Sequence, residues 1–242
     1  MSGTGYDLST AMYSQDGRIF QIEYAQKAID GEETFIGLKT SDGVVLACEK
    51  IQKSALEAPE GNKRIFVLEG GISLGISGRL PDGRLLVDRA KKECKSYRKN
   101  FGRVIPVPLL AERVANYIHY HTVYAQLRPL GCSVFIAAHQ EGKHFLYMVE
   151  NTGIFRAYKG ATSGKGRQIA RNKLEKAEKL TGIAEGKKLA ALAITAAHEE
   201  FKEKTYEIEM TTIAKENNNR HCIVPAEECC ALRLEAEELL DE

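Results

Sequence analysis

No C-x-x-C pair occurs among the six cysteines of this chain, Cys48, Cys94, Cys132, Cys222, Cys229 and Cys230. That removes the usual zinc-ribbon and redox spacings, and a disulfide scaffold belongs to much shorter chains. Four of the six lie in apolar runs or on helical faces, where a reduced thiol behaves as a small hydrophobe, so a reducing compartment is expected. No apolar run approaches the ~20 residues that a membrane helix needs. The opening MSGTGYDLSTAMYSQDGR lacks a basic start followed by an apolar stretch, and so does not read as a secretory signal. Charge of one sign is not in excess: 34 Lys and Arg against 33 Asp and Glu leave +1, which argues against nucleic-acid binding by charge alone. Low-complexity tracts and internal repeats are missing too. The expectation is a soluble, intracellular globular protein. At about 150 residues per domain it forms one large domain or two small ones, with enough chain to bury a core without staples.

What is present after residue 32 alternates between strands and paired helices. Residues 34–50, TFIGLKTSDGVVLACEK, form two β-rich runs around the turn signal Ser41-Asp42-Gly43. Residues 64–78 repeat the pattern with Gly70-Gly71 at the turn. Near Pro81-Asp82-Gly83 the period becomes helical, with Leu86, Ala90, Cys94, Tyr97 and Phe101 at steps of three or four. Pro108 suits the start of a second helix, whose stripe is Leu110, Val114, Tyr117, Ile118 and His121. Two strands follow over 132–139 and 144–150, then one near Ile154–Tyr158. Helices are predicted over Arg167–Leu180 and Lys187–Phe201, the latter with a narrow face of Leu189, Leu192, Ala193, Ala196 and Ala197. A strand runs from Tyr206 to Thr212, and an acidic helix over Pro225–Leu240 closes the chain.

Strands joined by short turns imply antiparallel sheets. Helices that arrive in pairs, not singly between strands, exclude a regular βαβ fold. The pattern predicts an α+β, four-layer αββα sandwich: two stacked antiparallel sheets flanked by helices. Residues 1–32 are read as a separate N-terminal segment with one helix, and 33–242 as a single sandwich domain.

Three motifs suggest chemistry and are better explained otherwise. Gly160-Ala161-Thr162-Ser163-Gly164-Lys165-Gly166 is similar to a phosphate loop but is one residue short, and Gly166 stands where a Mg²⁺-binding Ser or Thr belongs. A close backbone contact before a helix accounts for its glycines. His221-Cys222, Cys229-Cys230 and the pair His119 and His121 lack tetrahedral spacing, and residues one or two apart diverge on a helix. The basic run KKECKSYRKNFGR (91–103) offers an RNA-binding alternative, but its cations fall on the wet face of the first predicted helix. No residue is assigned a catalytic, cofactor-binding or metal-ligating role.

The most specific stretch is residues 6–29, YDLSTAMYSQDGRIFQIEYAQKAI. Asp16-Gly17-Arg18 is a turn ahead of a helix over Ile19–Asp30, which carries Ile22, Ala25 and Ile29 on one face. So short a helix is marginal alone and requires a surface to dock on. The segment closely resembles the N-terminal signature of eukaryotic 20S proteasome alpha subunits: a Tyr-Asp pair, Ser-x-Asp-Gly-Arg, then a Gln-Ile-Glu-Tyr-Ala helix. The resemblance continues through residues 41–45, Ser77-Gly78 and the string 128–133, RPLGCS. With the GTGYDLS start and the acidic last helix, it points to the seventh-alpha branch of that family.

The resemblance implies the N-terminal-nucleophile hydrolase fold and a place in a heptameric outer ring beside beta subunits. It implies partners among other alpha subunits, beta subunits and the C-terminal tails of activators such as the regulatory particle, with no nucleic acid or membrane, in cytoplasm and nucleus. It assigns gate and ring contacts to Tyr6, Asp7, Gln15, Asp16, Gly17, Arg18 and Tyr24, and an activator pocket to Lys63, Arg64 and Gly78. Gln15 replaces the family's usual proline, which removes the stiffening of the turn on which the tail pivots, and Leu8 replaces a common arginine.

Catalysis is not expected. The beta-type relatives use an N-terminal threonine as nucleophile and its amine as base. Here Glu33 occupies that position, Thr34 falls one place late, and Glu49 stands where a supporting aspartate would be, as a relic or a surface charge. The alternative, an active threonine-type peptidase of the same fold, requires a mature start at Thr34.

Overall fold

The computed structural model describes residues 5–52, 54, 56–177, 182–201 and 205–241. Among them run α1 (Phe20–Asp30), β1 (Phe35–Lys39), β2 (Gly43–Ile51), β3 (Ile65–Val67), β4 (Ser73–Gly78), α2 (Leu80–Phe101), α3 (Val107–Val123), β5 (Cys132–Gln140), β6 (Lys143–Val149), β7 (Phe155–Ala157), β8 (Gly160–Ser163), α4 (Arg167–Lys176), α5 (Ile183–Phe201), β9 (Tyr206–Ala214), β10 (His221–Ile223) and α6 (Ala226–Asp241). The strands form two sheets, ordered β10-β9-β2-β1-β8 and β3-β4-β5-β6-β7, and every pairing is antiparallel.

Alternation along the strands sorts side chains into three apolar layers. Phe35, Val44, Leu46 and Cys48 of the first sheet meet Phe135, Ala137 and Leu146 of the second between the sheets. Ile36, Leu38, Val45 and Ala47 point the other way, against α4, α5 and α6. Leu74, Ile76, Val134 and Ile136 pack under α2 and α3. Central strands buried on both faces read as continuous apolar runs, which is why β1, β2 and β5 show little polar alternation. The layers are therefore helix, sheet, sheet, helix, with α1 outside this stack against β4 and β5.

Local chemistry sets the element ends. Thr40 closes the β1–β2 turn, its hydroxyl donating to Asp42 Oδ1 at 2.9 Å and its N–H to the Gly43 carbonyl at 2.9 Å. Pro81 lies in the first turn of α2, and Gly102, at φ 69°, ends it in the left-handed conformation that glycine tolerates best.

Several sequence expectations need correction. Phe101 does not join the α2 core stripe; at the last position of the helix it is 60% exposed and lies against the Tyr97 ring. His121 is likewise only half-buried. Helix α4 ends at Lys176, with Ala177 already extended, and the remainder of that prediction, 178–180, lies outside the described residues. Helix α5 starts four residues early, and its core face is Ala190, Ala193, Ile194 and Ala197, with Leu189, Leu192 and Ala196 half-buried. From Leu189 to Ala197 every position but Thr195 is apolar, so the pattern does not fix the rotation. Residues 160–163 are a strand, β8, paired with β1. The last described strand, β10, gave no sequence signal at three residues.

Candidate functional site at the opening of the first strand

The segment ahead of α1 is built on a turn. The Gly17 N–H donates to the Ser14 carbonyl at 2.9 Å, the Ser14 N–H to the Arg18 carbonyl at 2.8 Å, and the Arg18 N–H to Ser14 Oγ at 3.0 Å. Gly17 sits at φ 72°, as a glycine closing such a turn can. Gln15 and Asp16 are exposed at its tip. Arg18 forks onto the Glu23 carboxylate and lies over the Phe20 ring. Tyr24 is exposed, stacked beside Phe20. Upstream, the Asp7 main-chain carbonyl accepts from the Gln21 side chain, and Thr10 donates to the Tyr124 carbonyl at 3.4 Å. The Tyr6 phenol and Asp7 carboxylate have no hydrogen-bond partner among the described residues, and neither meets Tyr24.

Helix α1 docks on its own chain. Ile29 is fully buried, with Ile22 and Ala25 half-buried beside it. The buried Asn151 amide donates to the Ile22 carbonyl at 3.2 Å, and Asp30 pairs with Arg167 of α4 at 2.7 Å. Gly78 makes the close approach possible: at φ 99°, a Cβ there would lie 2.4 Å from the Gly131 carbonyl oxygen and 3.1 Å from Ile29.

From α1 the chain runs through Glu32 into Glu33, where the sequence places the nucleophile of the beta-type relatives. Glu33 is 6% exposed and its carboxylate pairs with Arg64, itself 4% exposed. Arg64 also donates to the Gly78 carbonyl, and Glu32 lies 3.7 Å from the same guanidinium nitrogen that holds Glu33. Arg64 is thus not a solvated turn charge. Its main chain is pinned too, since the N–H groups of Arg64 and Ile65 donate to the Glu209 carboxylate at 3.0 and 3.2 Å. The structure brings Arg64 and Gly78 together and leaves Lys63 exposed, with its ammonium 6.0 Å from the Phe66 ring. A cleft of about 540 Å³ opens here, lined among others by Glu32, Glu33, Arg64, Arg79 and Leu80.

Thr34 has no means to act as a nucleophile. Its nitrogen is a peptide N–H donating to Glu49 Oε2 at 3.2 Å, and its hydroxyl accepts the Gly166 N–H at 3.2 Å. A free α-amine to serve as base is what this arrangement lacks. Glu49 is no surface charge; it is 5% exposed and its second oxygen meets His198 Nδ1 at 2.6 Å. His198 stacks on Tyr206, whose hydroxyl donates to Thr195 at 3.0 Å. The glycines after β8 serve close approach: a Cβ on Gly164 would lie 2.3 Å from the Glu33 carbonyl oxygen, and one on Gly166 2.4 Å from the Ala197 Cβ.

Beside the cleft, Asp82 accepts two parallel bonds from Arg128, 2.8 and 2.7 Å, and a third from the Gly131 N–H at 2.8 Å. Burial pushes this carboxyl up, and the donors outweigh it together, holding Asp82 below its ordinary range. Sequence reading missed the roles of Glu32, Arg79 and Glu209. One signal was available: a basic doublet, Lys63-Arg64, stands immediately before β3, and an acidic doublet, Glu32-Glu33, stands one residue before β1. Among the described residues no group of His, Cys, Asp and Glu could hold a metal, and no helix is long and apolar enough to cross a membrane. The cations of 91–103 lie exposed, along α2 except for Arg103 just past its end.

A two-sheet sandwich whose first strand opens on an internal, ion-paired residue is a hydrolase scaffold of the N-terminal-nucleophile kind with its nucleophile position closed. Residues 30–213 match the family model described as proteasome subunit, and residues 6–28 match the model for the N-terminal signature of A-type proteasome subunits. The chain belongs to the proteasome subunit family, and the signature makes it an alpha-type member, the non-catalytic kind. It is 42% identical over 242 residues to the alpha type-3 proteasome subunit of Oryza sativa, covering 99% of this chain and 97% of that one. It is 44% identical to the probable alpha type-7 proteasome subunit of Schizosaccharomyces pombe over 93% of this chain and 89% of the relative. The corresponding Saccharomyces cerevisiae protein is 44% identical over 92% of this chain and 79% of its own length. The alpha signature favours the non-catalytic reading over an active threonine peptidase.

Proposed function

We propose that this chain occupies an outer ring of seven alpha subunits stacked on beta subunits. There its N-terminal segment helps close the axial pore, and the cleft beside Arg64 receives the C-terminal tail of an activator such as the regulatory particle. The setting is ubiquitin-dependent protein degradation in cytoplasm and nucleus. The observation that carries the gate reading is the anchoring of residues 5–18: α1 is fixed to the core, Gln21 holds the Asp7 carbonyl, and the Tyr6 phenol and Asp7 carboxylate remain for a neighbour's groups. Arg64 supplies the cation of the pocket and Arg79 lines it too, while Gly78 holds Arg64 through its carbonyl and Lys63 stands outside the lining. Deleting residues 2–10 in the assembled particle should raise its basal peptide hydrolysis. Hydrolysis at the parent rate would remove this segment from the gate.

A further inference from the structure

The cation of that cleft is already engaged by the chain's own carboxylate. Glu33 holds only Nη2 of Arg64, the Gly78 carbonyl holds Nη1, and Arg64 Nε is buried without a partner. A guanidinium binds a carboxylate best through two parallel bonds from one edge. Here the edge formed by Nε and Nη2 is half-used. Glu33 is also poorly placed to gain the second bond by moving its backbone. The Lys165 N–H donates to the preceding carbonyl, Glu32 O, at 2.8 Å, and the Glu33 carbonyl lies against Gly164, where even a methyl would not fit. Glu32, 3.7 Å from Nη2, adds a second negative charge to the same edge.

We propose that Glu33 is an internal latch on the activator cleft. It occupies Arg64 as a monodentate stand-in for a peptide's terminal carboxylate, and a tail is captured only by displacing the Glu33 side chain and taking the Nε–Nη2 edge in two bonds. The residue at the closed nucleophile position thereby sets the threshold for docking. This rests on the tail-docking reading above and adds a regulatory element to it. The exchange needs only side-chain rotation, because the backbone of residues 32–34 is held on both sides, by the Lys165 N–H and by the bond from the Glu49 N–H to the Thr34 carbonyl at 2.9 Å.

The test is photo-crosslinking of a short peptide acid, carrying one benzoylphenylalanine, to this chain within the assembled particle over rising peptide concentration. Glu33→Gln keeps the side-chain shape and an acceptor for Arg64 while removing the competing charge; Glu33→Ser serves as a second variant if the first does not assemble. The latch predicts that half-maximal crosslinking in the variant needs about tenfold less peptide, the lower end of what one hydrogen bond to a charged group contributes. The same peptide as a C-terminal amide should gain nothing. If parent and variant crosslink alike while Arg64→Gln weakens both, tails dock without a latch and the proposal falls, leaving the docking reading intact. If no peptide acid crosslinks to parent or variant at any concentration, the docking reading falls and takes the latch with it.

Discussion

Phe35 of the first sheet fills the space left by Gly75 of the second: a Cβ on Gly75 would stand 2.1 Å from Cζ of the Phe35 ring. Phe35 also lies against Phe135, ring centroids 4.6 Å apart. The two sheets therefore interlock through a missing side chain. Gly75→Ala should destabilise the chain by about 1–3 kcal/mol or more through overpacking. Phe35→Leu in the same chain should recover part of that loss. Denaturant unfolding of the two single variants and the double variant checks the coupling, and strict additivity would sink the interlock.

The buried Glu49 carboxylate joins β2 to the start of β1 and to α5 through Thr34 and His198. Glu49→Ala leaves a buried N–H and an imidazole without their acceptor. A loss of about 2–4 kcal/mol is expected, with Tm falling by about 2–4 °C for each kcal/mol. Glu49→Gln, which retains an acceptor oxygen, should cost less. Equal losses in the two variants would show that packing, not hydrogen bonding, is what Glu49 supplies.

Asp82 titrates below its ordinary value of 3.8 in the folded chain. A carboxyl depressed by folding contributes stability above its unfolded pKa and loses it as pH falls through the folded one. The gap in stability between the parent chain and Asp82→Asn should therefore be constant at neutral pH and shrink below about pH 4. Unfolding measured from pH 7 down to 3 tests this; a gap that widens on acidification contradicts the sign.

Gln15 sits at the first central position of the Ser14–Gly17 turn, and its N–H takes no part in the turn's hydrogen bonds. Proline is favoured at that position and needs no donor there. Gln15→Pro should stabilise the turn by about 0.4–1 kcal/mol, mostly by restricting the unfolded chain. Slower amide exchange at Gly17 and Arg18 is the expected readout, and faster exchange would mean that the turn excludes proline.

Thiol reagents should sort the six cysteines. Burial pushes Cys94 and Cys229 up to about 11 and raises Cys48 and Cys132 as well. Cys230 is exposed and Cys222 half-buried. Maleimide labelling of the folded chain, read by mass spectrometry, should modify Cys230 first and Cys222 next. Early labelling of Cys132 would show that β5 opens readily.

Where local pattern and packing agreed, the sequence was legible. The turn at Ser41-Asp42-Gly43, the α2 stripe through Tyr97 and the proline-marked starts of α2 and α3 all follow from spacing. Strand β8 was hidden because Gly-Ala-Thr-Ser has no apolar alternation; it is a strand because β1 offers it a partner. The face of α5 was blurred by alanine. The site suffered most, since the pairing of Glu33 with Arg64 and of Glu49 with His198 spans 31 and 149 residues, and no local rule connects them. Reading Glu49 as a relic or a surface charge followed from residue type alone, and burial overruled the surface charge.

All four outermost strands are short: β10, β3 and β7 have three residues each and β8 has four. Brief margins of this kind leave few main-chain groups for another polypeptide to extend. Adhesion by added strands is thereby discouraged, so whatever abuts these margins must be held through side chains and not by lengthening either sheet.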